Sequence, residues 1–310
     1  MDRAAIQTVR AFNRLVGERI GALNSDFLGR RRPMGESRTL WEIAEEGVEV
    51  RALRLRLGLD SGYMTRMLRS LERQGMIKVE SARDDGRVRV VRLTRRGNAE
   101  RAEVDKRSDA VAAGLLGPLS QQQRTRLVTA MEEVERLLRA SLVTMAVEKP
   151  TSPDARWCMQ QYFRELNARF KRGFDPALSI SADAHELVPP AGALLIARLR
   201  GRPVGCGAVK FHRGAPAELK RMWVAPDARG LGLGRRLLVE LERLARRNGV
   251  SAVRLETNRA LKEAIALYRC AGYREVKAFN DEPYAHHWFQ KRLVTSSPGT
   301  RPSRGIRRGR

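Results

Sequence analysis

The run Arg229-Gly230-Leu231-Gly232-Leu233-Gly234 lies between two periodicities. Before it, Ala217 to Val224 reads as a short strand. After it, Leu237, Leu238, Leu241 and Leu244 recur at helical spacing. A strand that turns through glycines into a helix aims backbone N–H groups and the positive helix end at one spot, which suits a phosphate. Gly230, Gly232 and Gly234 remove side chains that would hold a pyrophosphate off the backbone. A P-loop needs Lys-Ser/Thr after its last glycine, and here Arg235-Arg236 follow. A dinucleotide fingerprint needs G-x-G-x-x-G after the first strand. The spacing here is G-x-G-x-G after at least two strands, although Glu256 ends the next strand where that motif places its acid. A purely structural turn would spend three glycines where fewer suffice. The run is therefore read as the cradle of a phosphorylated cofactor.

A second set of chemistry-bearing residues lies on a helix expected from Ser61 to Gln74, closed by Gly75. Met64, Leu68 and Leu71 form its apolar stripe. Ser61, Thr65, Arg66, Arg69 and Arg73 fall largely on the other side, with Gly62 at its start. Small polar residues near a helix N-terminus can approach base edges, and arginines suit guanine or phosphate. An ordinary solvated basic face would look the same.

The elements that must position this helix are short. Residues 4–22 carry Ile6, Val9, Phe12, Val16 and Ile20 at helical steps, and a polar connection runs from Asn24 to Glu36. Helices are expected over Thr39 to Glu46 and around Val50, Leu53 and Leu57, the latter ended by Gly58, with an N-cap signal at Leu59-Asp60-Ser61. Two short helices joined through a glycine form a helix-turn-helix. Ile77 and Val79, the Asp85-Gly86 turn, and Arg87 to Leu93 follow as a hairpin, closed by Thr94 to Gly97. Its tip residues Arg83, Arg87 and Arg89 are placed for a minor groove or for phosphates. Asn98 to Ala113 and Gln121 to Val147 are expected as long helices. The second carries the seam Val128, Met131, Val134, Leu138 and Leu142.

The C-terminal half is read as α/β. A helix over Ala155 to Phe170 precedes strands at Ala193 to Leu199 and Val204 to Phe211. The strand, glycine turn and helix around residue 230 come next. A strand at Ala252 to Glu256, a helix at Ala260 to Ala271 and a strand at His287 to Leu293 complete it. The two prolines of Glu148 to Asp154 mark a linker. The expected organisation is thus 1–147, a linker at 148–154, a second domain at 155–294, and a Ser/Pro/Gly/Arg-rich disordered tail at 295–310.

Bulk composition adds limits. The chain has 310 residues, room for two full cores. Its 60 Lys+Arg against 35 Asp+Glu give a net charge of +25, favouring a polyanionic partner, although an arginine-rich proteome would give the same excess. Three scattered cysteines, Cys158, Cys206 and Cys270, argue against a disulfide framework or a zinc site. His286 and His287 point to opposite faces of a strand, so no metal is expected. No run suits a membrane span or a signal peptide, and a cytoplasmic protein is expected.

Two resemblances sharpen these readings. Leu59-Asp60, Arg66, Leu71-Glu72, Gly75, Ile77, Asp85, Arg87, Leu93-Thr94 and Gly97 resemble the recognition helix and wing of MarR-type winged-helix regulators, over about residues 4–147. The resemblance implies a homodimer held by its first and last helices, reading a pseudo-palindrome on double-stranded DNA. It implies DNA contacts from Ser61, Gly62, Thr65, Arg66, Arg69, Arg73, Arg83, Asp85 and Arg87. The second half, over 155–294, resembles the GCN5-related N-acetyltransferases, or GNAT family. The evidence is Arg229 to Gly234 as R-x-x-G-x-G, with Ala264, Leu267, Tyr268, Gly272 and Tyr273 downstream.

The GNAT resemblance implies acetyl-CoA as cofactor and a mixed central sheet. The pyrophosphate would lie on the amides of Arg229, Gly230, Leu231, Gly232, Leu233, Gly234 and Arg235. The pantetheine arm would pair with Met222 to Val224 as an added strand. The N–H near Val224 would polarise the acetyl carbonyl. By family position Tyr268 is the acid for the leaving thiolate; a core tyrosine is the alternative. Glu218 is the candidate base for the ammonium, against a salt bridge with Lys220 or Arg221. Asn258 contacts the pantetheine or caps a helix. Asp281, Glu282 and Tyr284 lie where such enzymes face substrate, so they are candidates for an amine acceptor, or simply form a loop. The combined expectation is a DNA-binding regulator that is also an N-acetyltransferase. The alternative is a regulator whose second half only senses acyl-CoA.

Overall fold

The computed structural model describes residues 2–22, 27–30, 32–82, 86–180 and 182–293. The chain divides between Glu135 and Arg136 into two compact units, each described by itself.

The N-terminal unit opens with α1 (Arg3–Arg19), whose N-cap Asp2 accepts from the N–H of Ala4. α2 (Met34–Glu42) begins behind Pro33, five residues earlier than the Thr39 start expected from the apolar pattern. Proline presets the entry φ, and Leu40 and Ile43 still reach the core. Next come β1 (Val48–Glu49), α3 (Val50–Leu57) and α4 (Ser61–Arg73). α3 ends on Gly58 at φ 68°, and Asp60 caps α4 by accepting from Tyr63 N–H at 2.8 Å. β2 (Ile77–Ser81) and β3 (Arg89–Leu93) form the hairpin, with β1 on the other edge of β3. Leu40, Ile43, Leu53, Met64, Leu68, Leu71, Ile77 and Val91 close one core beneath α4. α5 (Arg95–Leu116) starts at Thr94, which caps it by accepting from Gly97 N–H; the expected strand end is a helix start.

α6 (Gln121–Ser141) is shorter than expected. Val143 to Glu148 is not helix but β4 (Val143–Glu148), paired antiparallel with β5 in the second unit. Val143, Met145 and Val147 alternate, and β-branched residues at period two suit an edge strand beside an apolar partner. Leu142 lies beyond the helix end. Within the expected linker, Ser152 caps α7 (Pro153–Arg169) and Pro153 takes its first position.

β5 (Gly192–Leu199), β6 (Arg202–Lys210) and β7 (Ala217–Val224) follow as an antiparallel meander. Then come α8 (Leu233–Arg247), β8 (Ala252–Thr257), α9 (Lys262–Cys270), β9 (Arg274–Val276) and β10 (His287–Arg292). The short β9 was not expected from sequence. The seven strands run β4-β5-β6-β7-β8-β10-β9. Only β7 and β8 are parallel, so the sheet is mixed as expected. α8 buries Leu233, Leu237, Leu238, Leu241 and Ala245 against a core that includes Ile196, Val204, Leu255 and Phe289.

Candidate functional site

β7 and β8 pair only at Ala217 with Val253 and at Glu218 with Arg254. Beyond that point both strands continue, but the pairing stops. A gap at the carboxyl ends of parallel strands, where chain connectivity switches direction, is where α/β sheets take ligands. β7 is also bent. Cys206 faces Trp223 and Ala208 faces Lys220, so Arg221 and Met222 together oppose Gly207, which makes a bulge. A Cβ on Gly207 would lie 2.7 Å from Met222 Sδ, so a larger residue there would push the Met222 side chain aside.

Two clefts meet at the gap. One encloses about 1360 Å³ including its mouth and is lined by Val224, Gly230, Gly232, Gly234, Arg235 and Tyr268, among others. The other encloses about 730 Å³ including its mouth and is lined by Tyr162, Phe174, Lys220, Glu256, Tyr284 and again Tyr268. Met222, Leu261 and Ala264 also belong to both.

The first cleft has the features of a phosphate cradle. Gly230 and Gly232 adopt φ 80° and 71°, which admit glycine readily. Gly232 caps α8 with no side-chain hydrogen bond, leaving first-turn amides for a ligand. Above it, the Met222–Val224 edge facing β8 has no strand partner, so it can take an extended chain, although the Val224 carbonyl accepts from Arg229 Nε at 3.3 Å. These residues fit the pyrophosphate and amide-bearing arm of acetyl-CoA. The expected contacts are backbone amides, and two of the side chains on those residues point elsewhere. The Leu231 side chain is buried in the core and lines neither cleft. The Arg229 guanidinium turns onto Glu165, with Nη2 at 2.6 Å from both carboxylate oxygens, and Glu165 also accepts from Trp223 Nε1 at 2.9 Å.

Tyr268 reaches both clefts from α9 and is buried. Burial, reinforced by Tyr162 and Glu256, pushes its phenol above the ordinary value, so it holds its proton. Burial likewise pushes neighbouring Tyr162 up to about 12.

Glu218 is not brought to the gap. It sits where β7 and β8 are still paired and lines neither cleft. Arg254 Nη2 donates to its Oε1 at 2.7 Å, with Lys220 Nζ at 3.7 Å and His212 Nε2 at 3.6 Å. Burial opposes its ionisation, but Lys220, Arg254 and His212 outweigh that and hold the carboxyl below its ordinary value. A carboxylate so paired and so placed is a poor base, and the salt-bridge alternative describes it. Two carboxylates line the second cleft, Glu282 and, at the end of β8, Glu256. Its Oε1 takes Lys220 Nζ. Its buried Oε2 has no hydrogen-bond partner among the described residues. Sequence reasoning missed this role, although Glu256 was noted as a strand-end acid.

The other expected residues separate clearly. Asn258 Nδ2 donates to the Tyr284 carbonyl at 2.7 Å, and its Oδ1 accepts from Ala260 N–H at 2.9 Å; it shapes the turn before α9. Glu282 lines the second cleft, but its Oε2 is taken by Ser179 Oγ at 2.9 Å and Ile180 N–H at 2.6 Å. Tyr284 lines the cleft, 4.8 Å from Phe174 between ring centroids. Asp281 is exposed and outside both clefts.

Residues 159–273 match the model of the acetyltransferase (GNAT) family. An "IAA acetyltransferase" of Azospirillum brasilense is 41% identical over 144 residues, covering 46% of this chain and 90% of that protein. The chain belongs to the GNAT family. An uncharacterised N-acetyltransferase of Schizosaccharomyces pombe is 31% identical over 138 residues, covering 43% of this chain and 80% of that one. A solved putative acyl-CoA N-acyltransferase of Klebsiella pneumoniae is 27% identical at TM-score 0.41, covering 49% of this chain and 99% of that one. This GNAT chain is an acetyltransferase with acetyl-CoA as its acetyl donor.

Residues 31–88 match the MarR family model, so a winged-helix segment is joined to the GNAT fold. On α4, Ser61, Gly62, Thr65, Arg66, Arg69 and Arg73 are all exposed. Tyr63 shares that face, its ring 5.9 Å from the Arg66 guanidinium; the sequence stripe did not single it out. The helix is held from behind. Glu36 accepts from Ser70 Oγ at 2.7 Å and from Gln74 Nε2 at 3.0 Å, and Arg32 donates to Gln74 at 2.9 Å while pairing with Glu100. Arg87 is exposed, and Arg83 and Asp85 lie outside the described residues, as does the expected tail. Among the described residues, no helix is long and apolar enough to cross a membrane.

Proposed function

We propose that this cytoplasmic chain is bifunctional, transferring acetyl from acetyl-CoA to a primary amine (a small molecule or a protein lysine) and binding a pseudo-palindromic DNA site through a homodimeric winged helix. The observation that carries the enzymatic half is the gap between β7 and β8, with an orphaned Glu256 oxygen and a protonated Tyr268 beside it.

Bound acetyl-CoA supplies an activated acetyl thioester. Amides from Arg229 to Gly234 and of Arg235 receive its phosphates, and the Met222–Val224 edge aligns its arm. The N–H near Val224 polarises the acetyl carbonyl. Glu256 takes the proton of the acceptor ammonium, freeing the nitrogen lone pair. Forming the N–C bond and breaking the C–S bond leaves one excess proton on the nitrogen and a thiolate on CoA; the Tyr268 hydroxyl gives its proton to that sulfur and regains one from the nitrogen, and Glu256 releases the first proton to solvent. Glu282 and Tyr284 shape the acceptor side.

Dimerisation is supported by apolar faces that one chain leaves bare. α1 and α6 contain no buried residue, and Val9, Phe12, Leu15, Met131 and Leu138 are exposed. Two α4 helices one DNA turn apart would then read paired half-sites.

A panel of amines assayed for thiol release from acetyl-CoA tests the enzymatic half. Saturable release with at least one amine is expected; cofactor binding without release by any amine class would overturn it. Salt-dependent binding to DNA upstream of its own gene tests the other half.

A further inference from the structure

Arg221 has φ 60° inside β7, and among the described residues no other strand residue with a side chain has positive φ. Glycine would adopt this conformation without strain, so an arginine here costs backbone energy that only its side chain can offset. That side chain is stacked. Its guanidinium carbon lies 4.8 Å from the Phe163 ring centroid and 5.9 Å from that of Tyr162, and the residue lines the cleft that holds Glu256. Stacking fixes the guanidinium plane, and a fixed plane suits bidentate recognition of a carboxylate.

The rest of the cleft fits one acceptor chemistry. Lys220 and Arg221 are cationic, and Glu256 is the carboxylate with an unsatisfied oxygen. Glu282 already accepts from Ser179, Ile180 and Tyr284. With Lys220 already paired to Glu256, a purely cationic acceptor such as a polyamine would bring a like charge up to Arg221. An acceptor with one ammonium and one carboxylate matches both signs. Tyr162, Phe170, Phe174 and Tyr284 give the cleft an aromatic wall, and Leu166 adds an apolar surface.

We propose that the acceptor is a free amino acid with a bulky apolar or aromatic side chain, its carboxylate held by Arg221 and its amine directed to Glu256. Arg221 then sets specificity. The inference rests on reading this cleft as the acceptor side; bond changes and proton transfers are those given above.

The test uses the full chain and matched pairs: phenylalanine with phenethylamine, tryptophan with tryptamine, and spermidine as a polyamine. Thiol release from acetyl-CoA is followed, and melting shifts with phenylalanine or phenethylamine are recorded without cofactor. Each amino acid should exceed its decarboxylated partner about 10- to 100-fold in kcat/KM, the range for a charged hydrogen bond. Arg221→Gly, whose backbone takes φ 60° without strain, should erase that preference by raising KM for amino acids alone. Its affinity for CoA should not change, and Arg221→Lys should recover part of the preference. Faster turnover of decarboxylated amines or of spermidine, or an equal loss on both members of each pair, would overturn the proposal. If no amine releases thiol, the acetyl-transfer reading of the cleft fails. The melting shifts then decide this proposal alone: stabilisation by phenylalanine that Arg221→Gly abolishes supports it, and no such difference refutes it.

Discussion

The α4 face and the β7–β8 gap are both rich in charge, but they hold it oppositely. On α4, Arg66, Arg69 and Arg73 point into solvent, and the helix is braced from its buried side by Glu36 and Gln74. At the gap, buried Lys220 pairs with half-buried Glu256, and just before it Glu218 is enclosed by Arg254, Lys220 and His212. An exposed arginine waits for a partner supplied by the ligand, and its contribution is screened by salt. A buried pair is preorganised and resists screening, and only what the pairing leaves over can meet a ligand. Here that remainder is one oxygen of Glu256.

The largest effect that would break this contrast is at Glu256. Glu256→Gln keeps the shape and removes the base, so kcat should fall about 10²- to 10⁴-fold, the range for general acid–base catalysis. Tyr268→Phe should fall in the same range in thiol release, with cofactor affinity retained. On the other surface, Arg66→Ala should weaken DNA binding about tenfold and lower the salt slope by about 1, as loss of one phosphate or base contact does. Acetyl transfer by that variant should be unchanged.

A smaller effect sharpens the role of Glu218. Its carboxyl is held below its ordinary value in the folded chain. A depressed carboxylate stabilises above its unfolded pKa, and that stabilisation is lost as pH falls through the folded value. The melting difference between the native chain and Glu218→Gln should therefore be full near neutrality and shrink as pH falls below the ordinary carboxylate range, measured by calorimetry against pH.

What could be read from sequence was local. The glycine turn, the Asp60 cap and the exposed arginines of α4 depend on short spacings, and the structure keeps them. Val143 to Glu148 misled because Leu138, Leu142 and the alternating Val143, Met145 and Val147 continue a plausible helical stripe. Only pairing with β5 decides for strand. Glu218 and Glu256 are both acids on neighbouring parallel strands, and nothing in spacing separates them. The separation arises because the strands stop pairing after Glu218 and Arg254. The Arg221 bulge was equally hidden, since it shows only in the register of β7 against Gly207 on a different strand.

The direct test of the central claim is kcat for Glu256→Gln and Glu218→Gln side by side, with CoA affinity measured on both, using the fastest acceptor in the panel. The account predicts a loss of at least about 100-fold for Glu256→Gln, within the range for losing a catalytic base, with CoA affinity unchanged. For Glu218→Gln it predicts a lowered melting temperature and kcat within about fivefold of the native value, as for a residue outside the reacting groups. The reverse pattern, with Glu218 essential and Glu256 dispensable, would contradict it.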